Sequence, residues 1–140
     1  MLAPNRLKLM AVPPYAVSQV WPMVHPVIDR AYRETDMDTP VDLFAKLIGE
    51  RMLLWLVTDE KNDLLYAFIT ELYLRRSGTK VCRLVAGAGE RMSEWLFLQR
   101  QLEQYAKDEG CSKIVAEGRV GWSRALDGYS VIRHVIEKDL

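Results

Sequence analysis

The sequence predicts one α/β domain, a mixed and mostly antiparallel sheet with helices on both of its faces. Three observations carry this. The 140-residue length is that of one domain, so 1–140 is read as a single unit with one core. Apolar residues follow helical spacing in some stretches and form strand-like runs in others, and the two kinds interleave along the chain. A long amphipathic stretch also separates two strand-like runs late in the chain, the crossover that makes neighbouring strands parallel.

Residues 7–12 open the chain as a short strand, stopped by Pro13 and Pro14. From 16 to 33, Val17, Val20, Trp21, Val24 and Ile28 keep helical spacing, while Pro22 and Pro26 each remove a backbone donor, which predicts a broken or kinked helix. Thr39, Pro40 and Asp42 supply an N-cap, a first-turn proline and an acidic third position for a second helix. Its apolar face is Val41, Phe44, Ala45 and Ile48, and Gly49 ends it. Residues 52–58 and 64–74 are apolar, aromatic and β-branched and flank a polar turn, so they read as a hairpin. Ser77-Gly78 turns the chain again, and 80–86 completes a three-stranded meander. Gly87-Ala88-Gly89 then opens a loop, Ser93 caps, and Trp95, Leu98, Leu102, Tyr105 and Ala106 line one face of a long helix ending at Gly110. Residues 112–117 read as a parallel strand, 122–126 as a brief helix, Asp127-Gly128 as a turn and 129–138 as a closing strand.

Nineteen Lys and Arg balance nineteen Asp and Glu, so no whole-molecule field gathers nucleic acid or an anionic membrane. Specific nucleic-acid binding is not expected. Zero net charge also leaves little repulsion between copies, which eases self-association. Cys82 and Cys111 stand apart in apolar stretches without metal-ligand spacing, the pattern of two buried thiols and no metal site. The longest apolar stretches, 52–57 and 64–69, are strand-sized, against roughly 20 residues for a membrane span, and no apolar run precedes a small-residue cleavage site. A cytoplasmic protein is the expectation.

The order strand, two helices, three-stranded meander, glycine loop, long helix, strand, helix and closing strand resembles the acyl-CoA N-acyltransferase (GNAT) fold over nearly the whole chain. More narrowly, Leu54-Trp55-Leu56-Val57, the glycine loop before Trp95, the string Gly118-Arg119-Val120-Gly121-Trp122-Ser123-Arg124 and the terminal Glu137-Lys138-Asp139-Leu140 look like a group of short tailed-phage proteins. The GNAT resemblance implies a CoA site. Backbone donors at the start of the long helix would take the pyrophosphate, here Gly87, Ala88, Gly89, Arg91 and Ser93, and the backbone of Leu84, Val85 and Ala86 would take the pantetheine arm where the two parallel strands splay.

Two departures bear on the chemistry. The family's Gln or Arg three residues before the first glycine is Leu84 here, with Arg83 one position too early, and Glu90 puts a carboxylate into the loop that should receive a dianion. The family's general-acid tyrosine, counted back from Gly128-Tyr129, falls on Arg124, with Ala125 beside it. Tyr129 itself is the substitute, and Glu71 and Glu117 are the carboxylates available as base for an amine. His25 and His134 have no cysteine or serine nearby in sequence to form a nucleophile pair, which argues against a hydrolase. Trp21, Arg119 and Trp122 combine the residue types that dominate protein contacts and form the candidate interface.

Two functions follow. The reading favoured by the acidic loop and the missing tyrosine is a non-catalytic, phage-type virion or assembly component. It would dock on other phage or assembly proteins, need no cofactor, and reside in host cytoplasm or the virion. The alternative is an acetyl-CoA-dependent N-acetyltransferase.

Overall fold

The computed structural model describes residues 7–32, 40–89, 98–116, 126–132 and 136–140. Among them the elements run β1 (Lys8–Val12), α1 (Pro14–Tyr32), α2 (Pro40–Ile48), β2 (Leu53–Thr58), β3 (Leu64–Leu74), β4 (Lys80–Gly89), α3 (Gln99–Asp108) and β5 (Lys113–Ala116). The strands lie side by side in chain order. The first three pairings are antiparallel, and β5 returns through α3 to lie parallel to β4, with Val81–Leu84 against Lys113–Ala116. This is the expected α/β domain with a mixed sheet.

Strand alternation sorts the core into two layers. Val12, Leu54, Leu56, Ala67 and Ile69 point to one face and pack with Val17, Val24 and Ile28 of α1 and Leu43 and Leu47 of α2. Trp55, Val57, Tyr66, Phe68 and Leu84 point to the other, against Leu98 and Leu102 of the α3 segment. With helices on both faces, β2 is buried along almost its whole length, which explains its unbroken apolar run.

Four expectations change. Helix α1 is one continuous helix through Pro22 and Pro26 rather than a broken one. The two prolines are four residues apart on the exposed side of the helix, so the carbonyls they leave without partners, those of Ser18 and Pro22, face water. Gly49 does follow α2, but the left-handed residue of the stop is Glu50, at φ 64°. The amide of Arg51 donates to the carbonyl of Lys46 (3.0 Å) and that of Glu50 to Leu47 (3.3 Å), the paired bonds of a Schellman stop. Gly87-Ala88-Gly89 is strand and not loop: the long β3 offers ladder partners as far as Tyr66, and the three residues pair with Phe68, Ala67 and Tyr66. The closing strand is not found, since 129–132 and 136–140 carry no strand, with Val131, Ile132 and Ile136 exposed instead of laid on the sheet. The brief helix at 122–126 lies outside the described residues apart from the buried Leu126, as does the start of the long helix before Leu98. Among the described residues no helix is long and apolar enough to cross a membrane.

Candidate active site

The geometry that sets this sheet apart is in β4. Thr70 of β3 pairs with Leu84, yet the next residue back, Ile69, pairs with Ala86. Val85 is therefore an extra residue, a β-bulge. A bulge takes backbone groups out of the ladder and bends the strand, and such features concentrate beside functional sites. Leu84 is also the last residue of β4 to pair with β5 among the described residues, through Ala116. Val85 stands immediately after Leu84, the last residue of β4 with a described partner on β5. Backbone donors and acceptors there suit the amide-rich pantetheine arm of CoA, which is the donor set the sequence assigned to Leu84, Val85 and Ala86.

Beneath the bulge, on the α3 face, lies a buried polar group. Thr70 is only 1% exposed, and the indole Nε1 of Trp55 donates to its Oγ1 at 2.9 Å. Burial chiefly, with Cys82, Glu109 and Cys111 adding to it, pushes the Tyr105 phenol up to about 12. The Trp55 ring stacks on Phe68 (6.0 Å between centroids, 4° between planes) and takes the edge of Tyr105 at 4.9 Å. Next to this group the free thiols of Cys82 and Cys111 pack with Ala106 in a small buried cluster, and burial pushes Cys82 up to about 12.

The two described candidates for acid and base sit on opposite faces. Glu71 shares the α1 and α2 face with Ile69 by alternation, where its Oε1 takes Nη2 of Arg83 at 2.5 Å, and that guanidinium lies 5.5 Å from the Tyr73 ring centre. Tyr129 lies on the α3 side, in the turn whose Gly128 has φ 80°. Burial chiefly, with the Glu103 carboxylate adding to it, holds its phenol above its ordinary range. Gln99 completes a latch. Its Nε2 donates to Glu103 (2.7 Å) and to the Asp127 carbonyl (2.9 Å), and its Oε1 accepts from the Asp127 amide (3.2 Å). The sequence reading missed Gln99 and Glu103, although their i, i+4 spacing on one helix was visible. It also missed Thr70, a hydroxyl inside an otherwise apolar run.

The remaining assignments divide simply. Trp21 is half-buried, with its ring 5.3 Å from Phe44 and 6.2 Å from His25, so it joins α1 to α2. His25 Nδ1 meets Asp29 Oδ2 at 3.2 Å. Glu117, Arg91, Ser93, Arg119 and Trp122 lie outside the described residues, as do Glu90 and His134. Among the described residues no three His, Cys, Asp or Glu side chains gather as metal ligands.

The sequence finds no match among protein-family models or curated proteins. The fold does find matches among solved structures. A GNAT family acetyltransferase from Staphylococcus aureus superposes with a TM-score of 0.65 over 96% of this chain and 99% of its own, at 13% identity. An aminoglycoside acetyltransferase from an uncultured soil metagenomic sample, in complex with sisomicin, gives 0.67 over 97% and 98% at 10% identity. A predicted acetyltransferase from Clostridium acetobutylicum, in a structure with acetyl-CoA, gives 0.66 over 95% and 96% at 10% identity. These matches correct the favoured functional reading. Proteins sharing the architecture end to end are acetyltransferases, which favours the acetyltransferase alternative over a cofactor-free virion or assembly component. Glu90 and the absent tyrosine are local departures from a motif, whereas the likeness rests on the order and pairing of every described element. The chain has the fold of the GNAT acetyltransferases.

Proposed function

We propose that this protein is an acetyl-CoA-dependent N-acetyltransferase. The observation that carries the reading is the bulge at Val85, on the strand that pairs parallel to β5, within a fold whose solved neighbours are acetyltransferases, one of them in a structure with acetyl-CoA. Acetyl-CoA supplies an acyl group already activated as a thioester. The chain's part is to hold it: the backbone of Leu84, Val85 and Ala86 takes the pantetheine arm, and the segment after Gly89, with Arg91 and Ser93, takes the pyrophosphate.

Proton handling narrows to Glu117. Glu71 is engaged by Arg83, and Tyr129, its phenol held above the ordinary range by burial and the Glu103 carboxylate, is a poor proton donor to a departing thiolate. Glu117 follows Ala116, the register partner of Leu84, and is the carboxylate assigned here to the incoming amine. The test is calorimetry of the purified protein with acetyl-CoA. One-site binding is the expected result, and no heat of binding at millimolar ligand would end the proposal.

A further inference from the structure

We propose that two copies of this chain pair through their sheet edges, residues 136–140 of each copy adding antiparallel to β1 of the other. The inference is independent of the acyltransferase reading. β1 is an outer strand of the sheet, and its Lys8, Met10 and Ala11 are exposed. An edge of this kind presents backbone donors and acceptors to an incoming strand, and neither proline nor bulge interrupts this one. The other half of the contact has the pattern of a strand without being one. Residues 129–138 alternate, yet Val131 is 53%, Ile132 66% and Ile136 94% exposed. A single copy therefore leaves these β-branched side chains in water.

Charge and apolar matching select one register. Set antiparallel with Leu9 opposite Ile136, the pairing brings Lys8 opposite Glu137, an apolar pair beside a pair of opposite charges. Parallel pairing that keeps Lys8 level with Glu137 sets Leu9 against Lys138, and so does the antiparallel shift that matches Lys8 to Asp139. Leu9 also lines a cleft with Phe68, Leu98, Gln99 and Leu102, apolar but for Gln99. Residues directly opposite each other share a face, so Ile136 of the second copy stands at the mouth of that cleft as an anchor. Gln99 in turn holds the backbone of Asp127, so the segment leading to Ile136 departs beside the β1 edge. Each copy supplies one edge and one added segment, and a twofold axis satisfies both at once. A formal charge of zero sets no net repulsion against it.

The experiment follows molar mass by light scattering over a concentration series of the purified chain. The wild type is expected to pass from monomer to dimer. Ile136→Asp should stay monomeric. Lys8→Glu should weaken the dimer about tenfold, the loss from a cross-strand charge pair reversed at two seams, and adding Glu137→Lys should restore it. All three positions are exposed, so near-native circular dichroism is expected throughout. Lys8→Cys and Glu137→Cys chains, mixed and mildly oxidised, should yield a linked dimer whose bridging peptides are those of positions 8 and 137, a product that pairing within one chain cannot give. A wild type that is monomeric at every concentration, a dimer untouched by Ile136→Asp and Lys8→Glu, a charge exchange that restores nothing, or linked dimers lacking the 8–137 bridge overturns the proposal.

Discussion

Glu50 adopts the left-handed conformation that ends α2, a position that glycine fills at no steric cost. A side chain there costs about 1–2 kcal/mol, and glycine gives back part of the gain by loosening the unfolded chain. Glu50→Gly should therefore stabilise the protein by about 0.5–1 kcal/mol, read as a higher urea midpoint with unchanged slope. The sequence pointed to Gly49 because glycine after an apolar helix face is the usual stop. It missed by one residue because stop geometry depends on which carbonyl the next amide reaches. The candidate site was legible to the same depth. The GNAT resemblance implies Leu84, Val85 and Ala86 for the pantetheine arm, while the partner of Glu71 was hidden, since Arg83 reaches it only once β3 and β4 have paired.

Strands and helices were read more fully than single residues. The hairpin of β2 and β3, the third meander strand and the parallel return of β5 all follow from apolar runs separated by polar or glycine turns, and the structure has them. The bulge was not legible, because an extra residue shows only against its partner strand. It makes a direct prediction. Deleting Val85 should let β4 pair with β3 in regular register, giving a folded protein with near-native circular dichroism that no longer binds acetyl-CoA in calorimetry. A deletion variant that binds as well as the wild type would show that the bulge is not part of the acetyl-CoA site. The expected closing strand is a second case: residues 129–138 alternate as a strand should, yet 129–132 and 136–140 carry no strand, because alternation records which side chains could share a face and not whether a sheet edge receives them.

For the molecule as a whole, neutral charge hides a one-sided response to alkali. Cys82 is pushed from 9.0 to about 12 and Tyr105 from 10.0 to about 12, both chiefly by burial, and Cys111 and Tyr129 move in the same direction. Each group holds its proton more tightly folded than unfolded. Their contribution is fully present below the unfolded values, so they add no pH dependence there; above about pH 9 the unfolded chain begins to release protons that the folded chain keeps, and stability falls toward pH 12. Melting temperature followed between pH 8 and 11 should turn downward near pH 9. In Cys82→Ala that decline should be shallower, and an unchanged slope would remove Cys82 from the account.

The centre of the sheet is built from near neighbours and its two outer seams are not. Short turns at 59–63 and 75–79 join β2, β3 and β4, whereas β1 meets β2 across residues 13–52 and β5 comes back to β4 only after residues 90–112. Hairpins close in about 1–10 μs, and longer excursions pay more closure entropy before any contact rewards them. The meander can thus stand before either outer seam closes. A thioester ligand lying along β4 and β5 would act as a staple on one of these late joints, lengthening the lifetime of the native state in cells that are rich in it.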